Sequence, residues 1–286
     1  MSGLEDWLRW TADRNDLSAA AHRTVQAMIE DPEAAAFASA RELAGKAGVN
    51  VATVTRAAQA LGFQGWPQLQ LEIRSRYLKG LSASDVARVH RRDQIAVAPS
   101  ELSIGRSLEN IRAVQRVLDR KLLHRIAGDI ARARQTVIVA PGSFGGIGLP
   151  LAHNIRLAGY PVQLLSDDAA LAGALPSLSS GDVLFAISFW RLYRTTVEAA
   201  TAARRQGCCV IALSDSVNNA LTRQATHKVV VPSQSASHFP SLVAGQAAAE
   251  AILADLATID PDRSRTALAR AEAAWDTLDV LHPNAP

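Results

Sequence analysis

Residues 39–65 read SARELAGKAGVNVATVTRAAQALGFQG. Ser39 stands three residues ahead of Glu42, the spacing at which a serine hydroxyl and a glutamate carboxylate each satisfy an exposed amide at a helix start. Leu43, Ala44 and Ala47 form one narrow apolar stripe, which predicts a short helix from Ser39 to Ala47. Gly48 ends it, because the residue beyond a helix end commonly needs a positive φ that only glycine takes without strain. The chain turns through Gly48, Val49 and Asn50, and Asn50 caps a second helix. There Val54, Ala57, Ala58 and Leu61 face inward and leave Asn50, Ala52, Thr53, Thr55, Arg56 and Gln59 on the outer side. Short hydroxyls, amides and one guanidinium on the second helix of such a pair suit base edges and phosphates in a DNA major groove. The same pattern also fits any two-helix corner of a helical domain.

Local charge favours the DNA reading. Residues 39–79 contain Arg41, Lys46, Arg56, Arg74, Arg76 and Lys79 against Glu42 and Glu72, an excess of four positive charges. Such an excess is the electrostatic footprint of phosphate binding. From Leu17 to about Leu78 the order of features resembles the N-terminal domain of RpiR-type transcriptional regulators. An opening helix LSAAAHRTVQAMIEDP is followed by AFASARELAGKAGVNVATVTRAAQALGF and then by GWPQLQLEIRSRYL. The pair Gly62-Phe63 with Gly65-Trp66 ahead of an amphipathic helix is the most specific part of the match. The resemblance implies binding to double-stranded operator DNA through Arg41, Lys46, Asn50, Thr53, Thr55, Arg56 and Gln59.

The 286 residues leave room for two domains, and 48% hydrophobic with only 5% aromatic residues suits an Ala- and Leu-rich helical or α/β protein. A net charge of +3 neither demands nor opposes a nucleic-acid partner. No run of 18 apolar residues exists, and MSGLEDWLRW carries acidic residues where a signal peptide is basic, so a cytosolic protein is expected. Leu4, Trp7, Leu8 and Trp10 form an amphipathic arm, and Asp31-Pro32 ends the opening helix. Cys208 and Cys209 are neighbours at the front of an apolar run, where successive side chains point to opposite faces, so small buried hydrophobes are expected rather than a disulfide. The seven histidines show no metal-binding spacing and lie far along the chain from either cysteine, so no structural metal and no cofactor are expected.

Residues 1–80 are thus assigned to an all-α helix-turn-helix domain, 81–100 to a linker containing Arg88, Arg91, Arg92 and Pro99, and 101–286 to a second domain. Two helices, one from Leu102 to Leu118 and one reading KLLHRIAGDIARA, lead into it. TVIVA, PVQLL, DVLFAIS, CCVIALS and KVVV then alternate with helical segments, the pattern of a doubly wound parallel sheet of five strands. Ligands on such sheets bind beyond the carboxyl ends of the strands, where strand order reverses. Two loops there open helices: Pro141 to Gly148, reading PGSFGGIG, and Ser188 to Thr196, reading SFWRLYRTT. Backbone amides of the first and the guanidiniums of Arg191 and Arg194 in the second suit an anionic group. A dinucleotide fold with Asp167 or Asp168 on a ribose fits poorly, since no frame of the first loop gives G-x-G-x-x-G.

From about Leu102 to Ala257 this pattern resembles the SIS (sugar isomerase) domain that follows the reading head in RpiR-type regulators. The resemblance implies a sugar-phosphate cradle in both loops and a homodimer or homotetramer. Ile187-Ser188 matches the start of the family's I-S-x-S-G-x-T motif, but Trp190 and Arg191 replace serine and glycine, with two extra residues before Thr195. In the first loop Phe144 takes the usual serine position and Ser143 lies one place early. The candidate effector residues are therefore Gly142, Ser143, Phe144, Gly145, Ser188, Trp190, Arg191, Arg194 and Thr195, for a small acidic metabolite. A domain kept only for dimerisation is the competing reading. An aldose-ketose isomerase on the same fold needs a positioned base, and neither loop supplies a carboxylate or histidine. His238, near Ser235 and Ser237, is a further candidate at the site. Val243 to Leu256 reads as a buried helix, and the last segment as an amphipathic helix with Trp275 and Leu278 on its apolar side.

Overall fold

The computed structural model describes residues 3–81, 85, 98–237 and 239–282. Most of the linker expected at 81–100, with Arg88, Arg91 and Arg92, lies outside them, as does His238. Two compact units are present: Met1–Arg106 with Asp215–Asn218 and Gln234–Pro240, and Ser107–Ser214 with Asn219–Ser233 and Ser241–Pro286.

Six helices build the first unit: α1 (Leu4–Asp13), α2 (Ala19–Glu30), α3 (Pro32–Phe37), α4 (Ala40–Ala47), α5 (Val51–Ala60) and α6 (Trp66–Gly80). The N-terminal amphipathic segment docks on its own domain. Trp7 and Leu8 are buried in the same core as Met28, Leu43, Val54, Leu61 and Leu69, and the Trp7 ring meets Phe63 edge-on at 6.1 Å. Asp31 both ends α2 and caps α3, accepting from the Ala34 amide, while Pro32 occupies a first-turn position where no amide is missed. This short third helix has too few residues to show a period in the sequence. Pro99, assigned to the linker, likewise opens the helix Pro99–Val117.

The second unit is a five-stranded parallel sheet, β1 (Thr136–Val139), β2 (Val162–Leu165), β3 (Val183–Ile187), β4 (Cys209–Ser214) and β5 (His227–Val230), in the order β2-β1-β3-β4-β5. Ile138, Phe185, Ile211 and Val229 point to a layer that includes Ile126, Ile147 and Ile252. Val137, Leu184, Val210 and Ala212 point to the other, with Ala199, Ala200 and Ala203. The central strands β1, β3 and β4 are thus apolar on both sides, and each large side chain fully buried there contributes roughly 1.5–3 kcal/mol. The Ala-rich helix Val243–Ile259 lies on the sheet through Ala248, Ile252 and Leu256, whereas the last helix, Pro261–Thr277, has no buried residue and leaves Leu278 exposed beyond its end. Among the described residues no helix is long and apolar enough to cross a membrane.

Candidate functional site

The helix-turn-helix forms as its chemistry requires. Ser39 and Glu42 make the reciprocal cap of α4, Gly48 takes φ 61° at its end, and Asn50 caps α5 by accepting from the Thr53 amide. Arg41, Asn50, Arg56 and Gln59 are exposed and Thr55 is half-buried. Thr53 departs from expectation. Its hydroxyl is turned inward, donating to Asn50 Oδ1 at 2.9 Å and accepting from Arg56 Nη2 at 3.2 Å, because a residue three beyond the cap folds back over it. Thr53 therefore fixes the cap and the Arg56 guanidinium and offers no hydroxyl at the surface.

The positive excess is also smaller at the surface than in the sequence. Arg74 is buried, with Nε donating to the Ala36 carbonyl at 2.8 Å and the guanidinium over Phe37. Arg76 pairs with the fully buried Glu72 at 2.7 Å and lies over Trp7. Lys46 pairs with Asp31, and that hydrogen bond, together with the Ala34 amide, holds the Asp31 carboxyl below its ordinary range. Arg41 and Arg56 are the described cations of the segment that stand exposed and outside such pairs. Sequence counting could not separate cations that pack from cations that project.

In the second unit strand order reverses between β1 and β3, which sit side by side. The loops after these two strands meet there. Gly142 to Phe144 make one 3-10 turn before the helix Gly145–Leu157, and Tyr193 precedes the helix Arg194–Arg205. Phe144 packs on Phe189 at 5.6 Å and on Tyr193 at 6.0 Å. Phe144 is buried, so its ring supports the loops from below and offers no edge to a ligand. Two glycines are explained by packing. Gly142 has φ 59°, and a Cβ there would lie 2.5 Å from the Tyr193 hydroxyl. At Gly148 a Cβ would lie 2.5 Å from that of Ala140, so this glycine lets the helix approach β1. Gly142 and Ser143 are exposed and Gly145 is half-buried.

Ser188 follows β3 in complete burial. Its carbonyl accepts from Ser214 Oγ at 2.7 Å, which in turn accepts from Asn219 Nδ2, but its own Oγ has no partner among the described residues. Trp190 is half-buried at φ 53°, a backbone region that costs a bulky residue about 1–3 kcal/mol, and Arg191 lies over its ring at 5.4 Å. Arg194 is exposed and Thr195 half-buried in the first turn of the helix. The neighbouring Thr196, which sequence reasoning passed over, is completely buried with Oγ1 unpartnered. Helical spacing from Ala199, Ala200 and Ala203 would have placed it inward.

The expectation that histidine and cysteine stay apart is overturned by the fold. Cys208 and Cys209 do point to opposite sides of the sheet and are free thiols. Cys209, however, shares a face with Ile211, whose partner on β5 is His227. Asp129 of the helix Arg120–Arg132 joins them, at 2.7 Å from His227 Nε2 and 3.7 Å from Cys209 Sγ.

A capped helix-turn-helix followed by a doubly wound five-stranded unit defines a class, the two-domain DNA-binding transcriptional regulators. The chain belongs to the RpiR family: residues 11–80 match the helix-turn-helix domain of that family and residues 129–260 match the SIS domain. It is 28% identical over 203 residues to the uncharacterized HTH-type transcriptional regulator YfhH of Escherichia coli (strain K12), spanning 70% of this chain and 72% of that protein. The fold is shared with the Vibrio vulnificus NanR protein complexed with ManNAc-6P, at 18% identity and TM-score 0.61, over 96% of this chain and 99% of that one. It is also shared with the sugar isomerase domain of an RpiR transcription factor from Sphaerobacter thermophilus, at 24% identity and TM-score 0.59, over 62% of this chain and 98% of that one.

Proposed function

We propose that this regulator senses a small anionic metabolite, of the phosphorylated-sugar class, at the loops after β1 and β3, and that occupancy changes its affinity for operator DNA. The observation that carries the reading is the pair of buried, unpartnered hydroxyls, Ser188 Oγ and Thr196 Oγ1, in the second loop. An unsatisfied buried hydroxyl costs about 1–3 kcal/mol and is tolerated where a ligand completes it. Exposed Arg191 and Arg194 and the amides of Gly142 and Ser143 supply the positive side of the site. The NanR protein captured with ManNAc-6P lends the ligand class. Catalysis forms no part of the proposal, because neither loop carries a carboxylate or imidazole to move a proton. On DNA, Arg56, Thr55, Gln59 and Asn50 read the groove and Arg41 contacts phosphate, with Lys46 doing so only by exchanging its Asp31 partner for phosphate, from a homodimer or larger oligomer on a pseudo-palindrome with half-sites about 34 Å apart or a multiple of that. Sedimentation of the full chain as a monomer at micromolar concentration contradicts the oligomer.

The test is fluorescence anisotropy of the gene's own upstream DNA, with and without a panel of phosphorylated sugars and their unphosphorylated parents. A phosphorylated member is expected to change affinity by roughly 5–150-fold. Silence across the panel favours the second reading, a domain that only dimerises, for which the burial of Phe144 and the stance of Tyr193 over Gly142 speak.

A further inference from the structure

At the opposite edge of the sheet, Asp129, Cys209 and His227 converge from three elements, with one donor atom of each within 4.8 Å of the others. We propose that these three side chains form a binding site for a divalent transition metal of the zinc or cobalt type. Sulfur, imidazole nitrogen and carboxylate oxygen are the donors such cations take, and hard cations such as magnesium disfavour this set. Metal–donor bonds of about 2.0–2.3 Å in tetrahedral array place donors about 3.3–3.6 Å apart. The separations of 2.7 and 3.7 Å from Asp129 bracket that range and the third pair lies within 4.8 Å, so insertion requires shifts on the order of an ångström.

Two ligands start adjacent parallel strands, which fixes their spacing. The third is oriented by Arg132, whose Nη2 donates to Asp129 Oδ1 at 2.7 Å and leaves Oδ2 facing the histidine and the thiol. The site is partly open, with side-chain exposures of 14% for His227 and 27% for Asp129, so water can complete a fourth position. Burial, and after it the charge and hydrogen bond of Asp129, push the Cys209 thiol up to about 12, so without metal it is protonated and donates to the carboxylate. A bound cation takes that proton's place, forming the metal–thiolate bond and releasing one proton to solvent.

Full-length protein stripped by chelator and titrated with Co²⁺ tests the proposal. Uptake of one equivalent with a thiolate-to-metal band in the near ultraviolet, bleached by Zn²⁺, is expected. Cys208→Ser leaves Cys209 as the single thiol, so a retained band there assigns the ligand without altering it. Cys209→Ser should abolish the band, and His227→Ala should weaken uptake at least tenfold, with circular dichroism reporting the fold of each. No band in the wild-type chain, a band lost in Cys208→Ser, or one surviving in folded Cys209→Ser overturns the assignment.

Discussion

Thr196→Val is expected to stabilise the effector-free protein while weakening its response to effector. Thr196 is wholly buried in the first turn of its helix, and its Oγ1 has no partner among the described residues. Removing an unsatisfied buried hydroxyl and keeping the branched shape returns about 1–3 kcal/mol, less a few tenths for valine in a helix. A net gain of about 1–2 kcal/mol corresponds to a Tm rise of roughly 2–8 °C for a unit of this size. Calorimetry without effector reads the gain. Repeating the scan with a saturating phosphorylated sugar reads the loss, because ligand stabilisation grows with occupancy and the variant lacks one contact. A variant less stable than wild type in the absence of effector shows that the hydroxyl is satisfied in solution, and the argument from the orphaned pair then fails.

Arg56→Ala should weaken operator binding by about 1–3 kcal/mol, whereas Thr53→Ala should lower the melting temperature of the reading head by way of the Asn50 cap; anisotropy and thermal melts on both variants separate the roles. Gly148→Ala should cost about 1–3 kcal/mol by forcing its helix off Ala140, read by urea unfolding, and an unchanged midpoint contradicts the close approach. Asp182 is buried, which raises its pKa, but Arg134 at 2.6 Å and the Ser179 amide outweigh burial and leave it below 3.8. Its stabilisation is complete above that value and is lost as pH falls through the lower folded value, so Asp182→Asn should be less stable at neutral pH and flatter in acid.

Elements with long periods or strong punctuation were legible in the sequence. The Ser39–Glu42 box, Gly48 and Asn50 each act within four residues, and apolar runs punctuated by helical segments have few foldings besides a parallel sheet. What sequence reading lost depends on contacts between distant residues. Arg74 reaches Ala36 and Lys46 reaches Asp31, so charges counted as available are engaged at home. Phe144 was placed in the site by its motif position, yet its ring packs on Phe189 from the other loop. Cys209 and His227 are 18 residues apart in sequence and become neighbours through strand pairing alone.

The Tyr193 hydroxyl lies 2.5 Å from where a Cβ on Gly142 would be. Any side chain at position 142 would have to displace that ring, and the left-handed φ of 59° adds strain, so the two loops are held in register by a residue that has no side chain at all.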